Sequence, residues 1–471
     1  MDSFDIKKFL DDIDADVMLQ DFDYMYKKLK QFVYYDSVNL FLRKRLADFD
    51  ISPDRDERIQ KVLKFLDSWV KSTEESNDIL DSWLEDISFK IMPKSLASSQ
   101  SNATTEFNDI KYISNIRTYD KYCIDGVNYF IDMPIELHII DVFWTSIVGN
   151  TLDKELSDFC LGNRLERNAL GNYPIKSSQM FKFFHLQYSK WRDTAIINGQ
   201  KTLENNTNVV LIGLDIKQFF YNINVDWDKI NSKSTYSAET RLSDIIKHIH
   251  KRYYNSLKTF LKKTHEISVF RGIPVGLASS QVISNFVLSE FDQKITTNLS
   301  PLYYGRYVDD ILIVLSSIPE SIGDKGSKII NSYLIEKGIL FTKEHDPGIL
   351  SLCTDGNLCV QKSKLVIQYF DPKHSHAGLK EFCREIATQA SEFRFLPTGE
   401  DMKEIDDCAY DLIYHGSINK LRSLIAVEEN STELSKYLSN RIMLYKLTQE
   451  KITIDQVEQI FSRVTKWRPK Q

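Results

Sequence analysis

The sequence predicts an α+β chain with helical regions at either end of a mixed centre. Three observations carry this. Apolar residues recur at helical spacing through the first ninety residues. Two short β-branched apolar runs, Val209–Leu214 and Ile311–Leu315, stand in the middle of the chain, and each adjoins aspartates. After Pro372 the spacing becomes helical again.

In chain order, Ile6, Phe9, Leu10 and Ile13 mark one amphipathic helix, and Leu63, Leu66 and Val70 another. Ser52-Pro53-Asp54 reads as a helix start, with proline at an early position where its missing N–H costs nothing. Residues 95–109 are small and polar and are expected to form a linker. This divides the chain into an acidic helical region (1–94), the linker, a mixed region (110–371) and a helical C-terminal region (372–471). Helices are expected near 379–394, 402–414, 418–428, 432–447 and 454–466, with Ser431 or Thr432 capping one of them.

At 471 residues the chain exceeds what one core usually holds, and two or three domains are expected. A net charge of −6 argues against nucleic-acid binding through bulk positive charge. The acidity is local, however. Residues 1–100 hold 15 Lys and Arg against 21 Asp and Glu, and the remainder is balanced. Lys247, Lys251, Arg252, Lys258, Lys262 and Lys263, interleaved with Tyr253, Tyr254 and Phe260, suit a helix with a basic face for phosphates and aromatics for stacking. The stretch 436–471 carries eight bases and three acids. The six cysteines show no zinc spacing and read as free thiols. No apolar run approaches a membrane span, and Met1-Asp-Ser-Phe-Asp lacks a signal core, so a cytoplasmic protein without a membrane partner is expected.

The chemistry concentrates in three segments. Tyr307-Val308-Asp309-Asp310 precedes the apolar run 311–315. Adjacent carboxylates beside a buried strand repel one another and desolvate poorly, so their placement suits a hairpin tip offering oxygens to a divalent metal. Asp215 ends the run 209–214 and would join them at the sheet margin. Three such carboxylates suit two Mg²⁺ ions, or Mn²⁺, for in-line phosphoryl transfer. Between them, Gly272-Ile-Pro274-Val-Gly276 leads through a serine-rich stretch and Gln281 towards Asn285, with a helix expected there.

The order Asp-x-x-x-x-Phe, G-x-P-x-G…S-x-x-x-S-N, then Y-x-D-D resembles the core of a reverse transcriptase, over about residues 110–370. The likeness is greatest to bacterial enzymes of the defence-associated, abortive-infection (phage-resistance) type. It implies right-hand polymerase fingers and an RRM-like antiparallel palm sheet, with the C-terminal region as a thumb or accessory domain. It implies an RNA-directed DNA polymerase in antiphage defence, copying a non-coding RNA template into DNA from deoxynucleoside triphosphates.

The resemblance also implies roles for single residues. Asp215, Asp309 and Asp310 would be catalytic metal ligands, with the Ile216 carbonyl adding one more. Phe220 would clash with a ribose 2′-hydroxyl, unless Phe219 takes that role. Gly272, Pro274, Gly276, Gln281 and Lys343 would lie near the nucleotide. Leu365–Phe370 resembles the strand that grips the primer. Arg164, in a G-x-R segment, would contact template or phosphate, and Tyr307 would contact nucleic acid, as Lys251 and Arg252 would from the basic helix face. The chain departs from its relatives at Asn128–Pro134, which lacks Lys or Arg. Lys217, Arg164 and Arg192 remain open as partners for the triphosphate. Template-independent or protein-primed synthesis is the nearest alternative, and a catalytically idle RNA-binding scaffold the alternative of another class. The helical flanks suit a homo-oligomer or a protein partner.

Overall fold

The computed structural model describes residues 15–36, 39–70, 74–98, 122–264, 272–323, 325–343, 346–352 and 356–373. The chain forms two units, Met1–His376 and Ala377–Gln471, and every described residue lies in the first. The expected helix around Ile6–Ile13 and all those after Pro372 lie outside the described residues.

Four helices open the unit: α1 (Ala15–Tyr35), α2 (Leu40–Asp50), α3 (Arg55–Val70) and α4 (Glu74–Glu85). The start expected at Ser52-Pro53-Asp54 is realised, with Asp56 and Glu57 in the first turn of α3, where acidic groups favour the helix dipole. A long antiparallel hairpin follows, β1 (Ser88–Ser98) and β2 (Tyr122–Asp132). Residues 95–98 therefore belong to a strand and do not begin a linker. Pairing with β2 supplies an order that their small polar composition does not announce.

Next comes α5 (Ile135–Trp144), buried at every position. A helix so largely apolar belongs inside a core, and α1, α3, α7 (Ser237–Thr264) and α8 (Ala278–Val287) surround it. Its two carboxylates are both satisfied. Arg58 of α3 grips Glu136 through Nε and Nη2, at 2.7 and 3.2 Å. Asp141 accepts from the backbone N–H groups of Ala278 and Ser279 at the start of α8. Burial pushes Asp141 up to about 6, against the pull of those N–H groups.

The N-terminal helices are thus integral to this unit. Trp69 and Arg241 exchange bonds with each other's carbonyls, joining α3 to α7. Fully buried Lys28 of α1 donates to the carbonyls of Pro174 and Gln179 and lies 4.6 Å from the Tyr173 ring centre.

The remaining elements build the sheet. Helix α6 (Phe184–Glu204) packs on a four-stranded antiparallel sheet of order β4-β5-β3-β9, formed by Tyr303–Tyr307 (β4), Asp310–Ser316 (β5), Val209–Asp215 (β3) and Val366–Phe370 (β9). Helix α9 (Ser289–Leu299) follows α8 and leads into β4. A smaller sheet, β6 (Phe341–Lys343), β7 (Asp346–Ser351) and β8 (Cys359–Gln361), abuts β3 through an Ile216–Val360 bridge. Among the described residues no helix is long and apolar enough to cross a membrane.

Replacing Arg58 with methionine leaves Glu136 buried without its cation. We expect a loss of about 1–3 kcal/mol in urea unfolding, with most of it recovered in Arg58→Met/Glu136→Leu. An unchanged single variant would mean that α3 is not anchored by this pair.

Candidate active site

Strand β3 lies between β5 and β9, and Val209–Ile212 are fully buried. Its pairing with β5 sets Asp215 directly opposite Asp310. Beyond Asp215 the chain is held by a bond from Lys217 N to the Cys359 carbonyl, 2.8 Å. It then turns through Gln218 at φ +48° into the short helix Phe219–Asn222.

The β4–β5 hairpin ends in Val308 and Asp309, and Val308 has φ +56°. Only Val308 of the pair is left-handed, at the position where such a tight loop usually takes glycine. A β-branched residue held there costs on the order of 1–3 kcal/mol and needs a surrounding that enforces it.

Arg306 provides that surrounding. It is fully buried, and all five of its N–H groups are used. Nε and Nη2 donate to the two Asp292 oxygens, at 2.8 and 2.9 Å. Nη1 donates to Asn285 Oδ1 and to the Val308 carbonyl, each at 2.9 Å, and Nη2 also reaches the Asn285 carbonyl at 3.2 Å. Burial disfavours the guanidinium charge, but the Asp292 carboxylate outweighs it and keeps Arg306 protonated. Tyr304 donates to Asp292 as well, at 2.5 Å. Asn285 Nδ2 in turn donates to the Gly162 carbonyl, 2.8 Å. A Cβ on Gly162 would come within 2.7 Å of Val308 N, so the 159–162 segment can close on the hairpin tip with glycine alone.

The glycine-rich segment is placed by its backbone. Ile273 N donates to the Phe220 carbonyl at 2.7 Å, and a Cβ on Gly272 would meet that oxygen at 2.4 Å. Gly276 has φ +106°. The Val275 carbonyl accepts from Ile131 N of β2. The segment thereby joins the turn after β3 to the β1–β2 hairpin before entering α8.

Comparison with known families decides the identity of this constellation. The family model described as "Reverse transcriptase (RNA-dependent DNA polymerase)" matches residues 150–396, more than half the chain. The chain belongs to the reverse transcriptase family. It is also similar to "Retron Ec83 reverse transcriptase" of Escherichia coli, at 30% identity over 128 residues. That match covers 25% of this chain and 37% of the relative, so it spans little more than a third of the relative's length.

Reverse transcriptases use divalent metal ions. Asp215, Asp309 and Asp310 are all half-exposed, and their hard carboxylate oxygens are the donors that Mg²⁺ and Mn²⁺ take. Strand register brings Asp215 and Asp310 together. Among the described residues, no three His, Cys, Asp or Glu side chains are yet gathered into a metal cage. Asp215 Oδ2 instead meets Lys364 Nζ at 3.3 Å, and sequence reading gives no hint of that contact.

Other expected site residues fall into three groups. Phe219 is core, whereas Phe220 is half-exposed beside it, which separates the two candidates. Ile216 and Pro274 are buried, Gln281 is half-exposed, and Lys343 lies half-exposed on β6, opposite Asp346 in the ladder. Two of the residues expected to contact nucleic acid are engaged inside the protein. Arg164 spends four N–H bonds on Asp153 and on the Ser157 and Cys160 carbonyls, so it is a structural arginine. Tyr307 is buried against Tyr188 and Trp191. Arg252 is exposed, with Nε on the Leu84 carbonyl. Lys251 remains exposed. Of the aromatics proposed for stacking, Tyr253 is buried with its hydroxyl on the Tyr129 carbonyl, and Phe260 packs on Phe89. Arg192 lies against Asp193 with 11% of its side chain exposed, a poor start for a triphosphate contact.

Arg306→Met strands the buried Asp292 carboxylate and releases the hairpin tip. We expect a loss of about 3–5 kcal/mol in urea unfolding. A loss below about 1 kcal/mol, the scale of an exposed pair, would show that Arg306 does not hold the turn.

Proposed function

We propose that this chain is an RNA-directed DNA polymerase that extends a DNA strand with two divalent ions bound at Asp215, Asp309 and Asp310. The observation that carries the reading is the register Asp215–Asp310 at the end of the sheet, with Asp309 on the adjoining tip. The four-stranded sheet then acts as the palm. The β1–β2 hairpin, with the helices around α5, acts as the fingers. The Ile216 carbonyl follows Asp215 closely enough in the chain to add a ligand.

When bound, the two ions would activate the primer 3′-hydroxyl and stabilise the departing pyrophosphate. The protein's own contribution is placement. Arg306 holds the tip that carries Asp309. The Gly272–Phe220 backbone contact sets the half-exposed Phe220 ring beside the motif that ends β3, where it would exclude a ribose 2′-hydroxyl. Gly276 and Gln281 border the nucleotide in this reading, and Lys343 approaches it from the small sheet. The exposed bases Lys247, Lys251 and Lys262 on α7 offer a face for nucleic-acid phosphates.

The likeness to a retron reverse transcriptase supports a bacterial defence role with a dedicated non-coding RNA as template, deoxynucleoside triphosphates as substrates and DNA as product. Residues 372–471 would serve as thumb or accessory domain. The acidic face of the N-terminal helices offers a surface to a protein partner or a second copy.

The test is incorporation of labelled deoxynucleotides by purified protein with Mg²⁺ and its co-purifying RNA. Synthesis should disappear in Asp309→Ala and after prior RNase treatment. Synthesis that survives RNase would point to template-independent chemistry, and synthesis that survives Asp309→Ala would remove the metal-site reading. Phe220→Ala should relax discrimination against ribonucleotides by about 10- to 100-fold, the range a steric pocket contact provides; unchanged discrimination would dismiss Phe220 as the gate.

A further inference from the structure

Asp215 has a neighbour on each side. On one, β5 places Asp310 directly opposite. On the other, β9 pairs Val366 with Gly213. Lys364 stands two residues before Val366, in the turn that leads into β9, outside the strand ladder. Asp215 thus has Asp310 across the ladder on one side and Lys364 on the other. The ammonium of Lys364 lies 3.3 Å from Asp215 Oδ2. The side chain is carried by the tight turn Lys362–Lys364, which runs directly into β9.

Opposed like charges such as Asp215 and Asp310 destabilise a strand pair. A cation beside one of them offsets that repulsion, and so does a divalent metal. Lys364 and a metal ion therefore compete for the same oxygen.

We propose that Lys364 is a positioning residue of the metal site: it serves as counter-ion to Asp215 until a divalent cation displaces it. This rests on the reading of Asp215 as a metal ligand. Side-chain exposures of 53% for Lys364 and 31% for Asp215 leave the pair well solvated. Its effect on metal affinity is accordingly moderate, about two- to fivefold.

Mn²⁺ binding is measured by electron paramagnetic resonance on the full chain, for wild type, Lys364→Met, Lys364→Arg, Asp215→Asn and the double variant Asp215→Asn/Lys364→Met. Thermal melting of each metal-free protein confirms folding. Lys364→Met should bind Mn²⁺ about two- to fivefold more tightly, and Lys364→Arg should bind as wild type. The half-saturating Mn²⁺ for synthesis should fall by the same factor in Lys364→Met, with kcat at saturating metal unchanged. Asp215→Asn should weaken binding, and adding Lys364→Met to it should change nothing further. If Asp215→Asn weakens binding but Lys364→Met leaves affinity unchanged or lower, the exchange is wrong and the metal reading stands. If Asp215→Asn binds Mn²⁺ like wild type, both are wrong.

Discussion

The buried ion pair between Arg306 and Asp292 is the interaction on which the site depends. Buried pairs contribute little net stability, because desolvation consumes most of their attraction. Their value lies in direction. A guanidinium with five satisfied N–H groups fixes five acceptors at once, and here those acceptors belong to α8, α9 and the hairpin tip. The left-handed Val308 is affordable in that cage. The tip that carries Asp309 thereby inherits the rigidity of two helices, and Asn285 extends the same network to Gly162. An electrostatic contact in the core thus determines where a pair of surface carboxylates stands.

A second constraint comes from α5. Every face of this helix is covered, so α1, α3, α7 and α8 share one core through it. The cap that Asp141 gives to α8 passes that constraint to the helix bearing Asn285. Arg58 on Glu136 passes it to α3. The acidic N-terminal helices, which by charge alone look like a separate module, are in this way built into the same unit as the aspartates.

Much of this arrangement was legible in the sequence because local pattern encodes it. The runs 209–214 and 311–315 are short and β-branched, and they became the two strands that bear the aspartates. The Tyr-Val-Asp-Asp segment became a hairpin tip, and the serine-rich stretch became α8. What was not legible depends on partners far away in the chain. The strand character of 95–98 comes from pairing with β2. Arg164 looks like a ligand contact until Asp153 and two carbonyls are seen to absorb its donors. Tyr307 alternates inward, although its motif faces the site. Lys364 meets Asp215 from the turn that leads into β9, which no local pattern reveals. Arg306 did leave a signal, a lone charge in a strand flanked by tyrosines, and such a charge in a buried strand calls for a buried partner.

The central claim is that strand register and the Arg306 cage bring Asp310 and Asp309 to Asp215 as a metal site. Anomalous diffraction from crystals of the protein soaked in Mn²⁺ tests it most directly. The account predicts a Mn²⁺ peak bonded to both Asp215 and Asp310, with the Arg306 bond to the Val308 carbonyl intact and Lys364 moved off Asp215. A Mn²⁺ bound elsewhere, or a hairpin tip that has left Arg306 in order to bind it, would contradict the account.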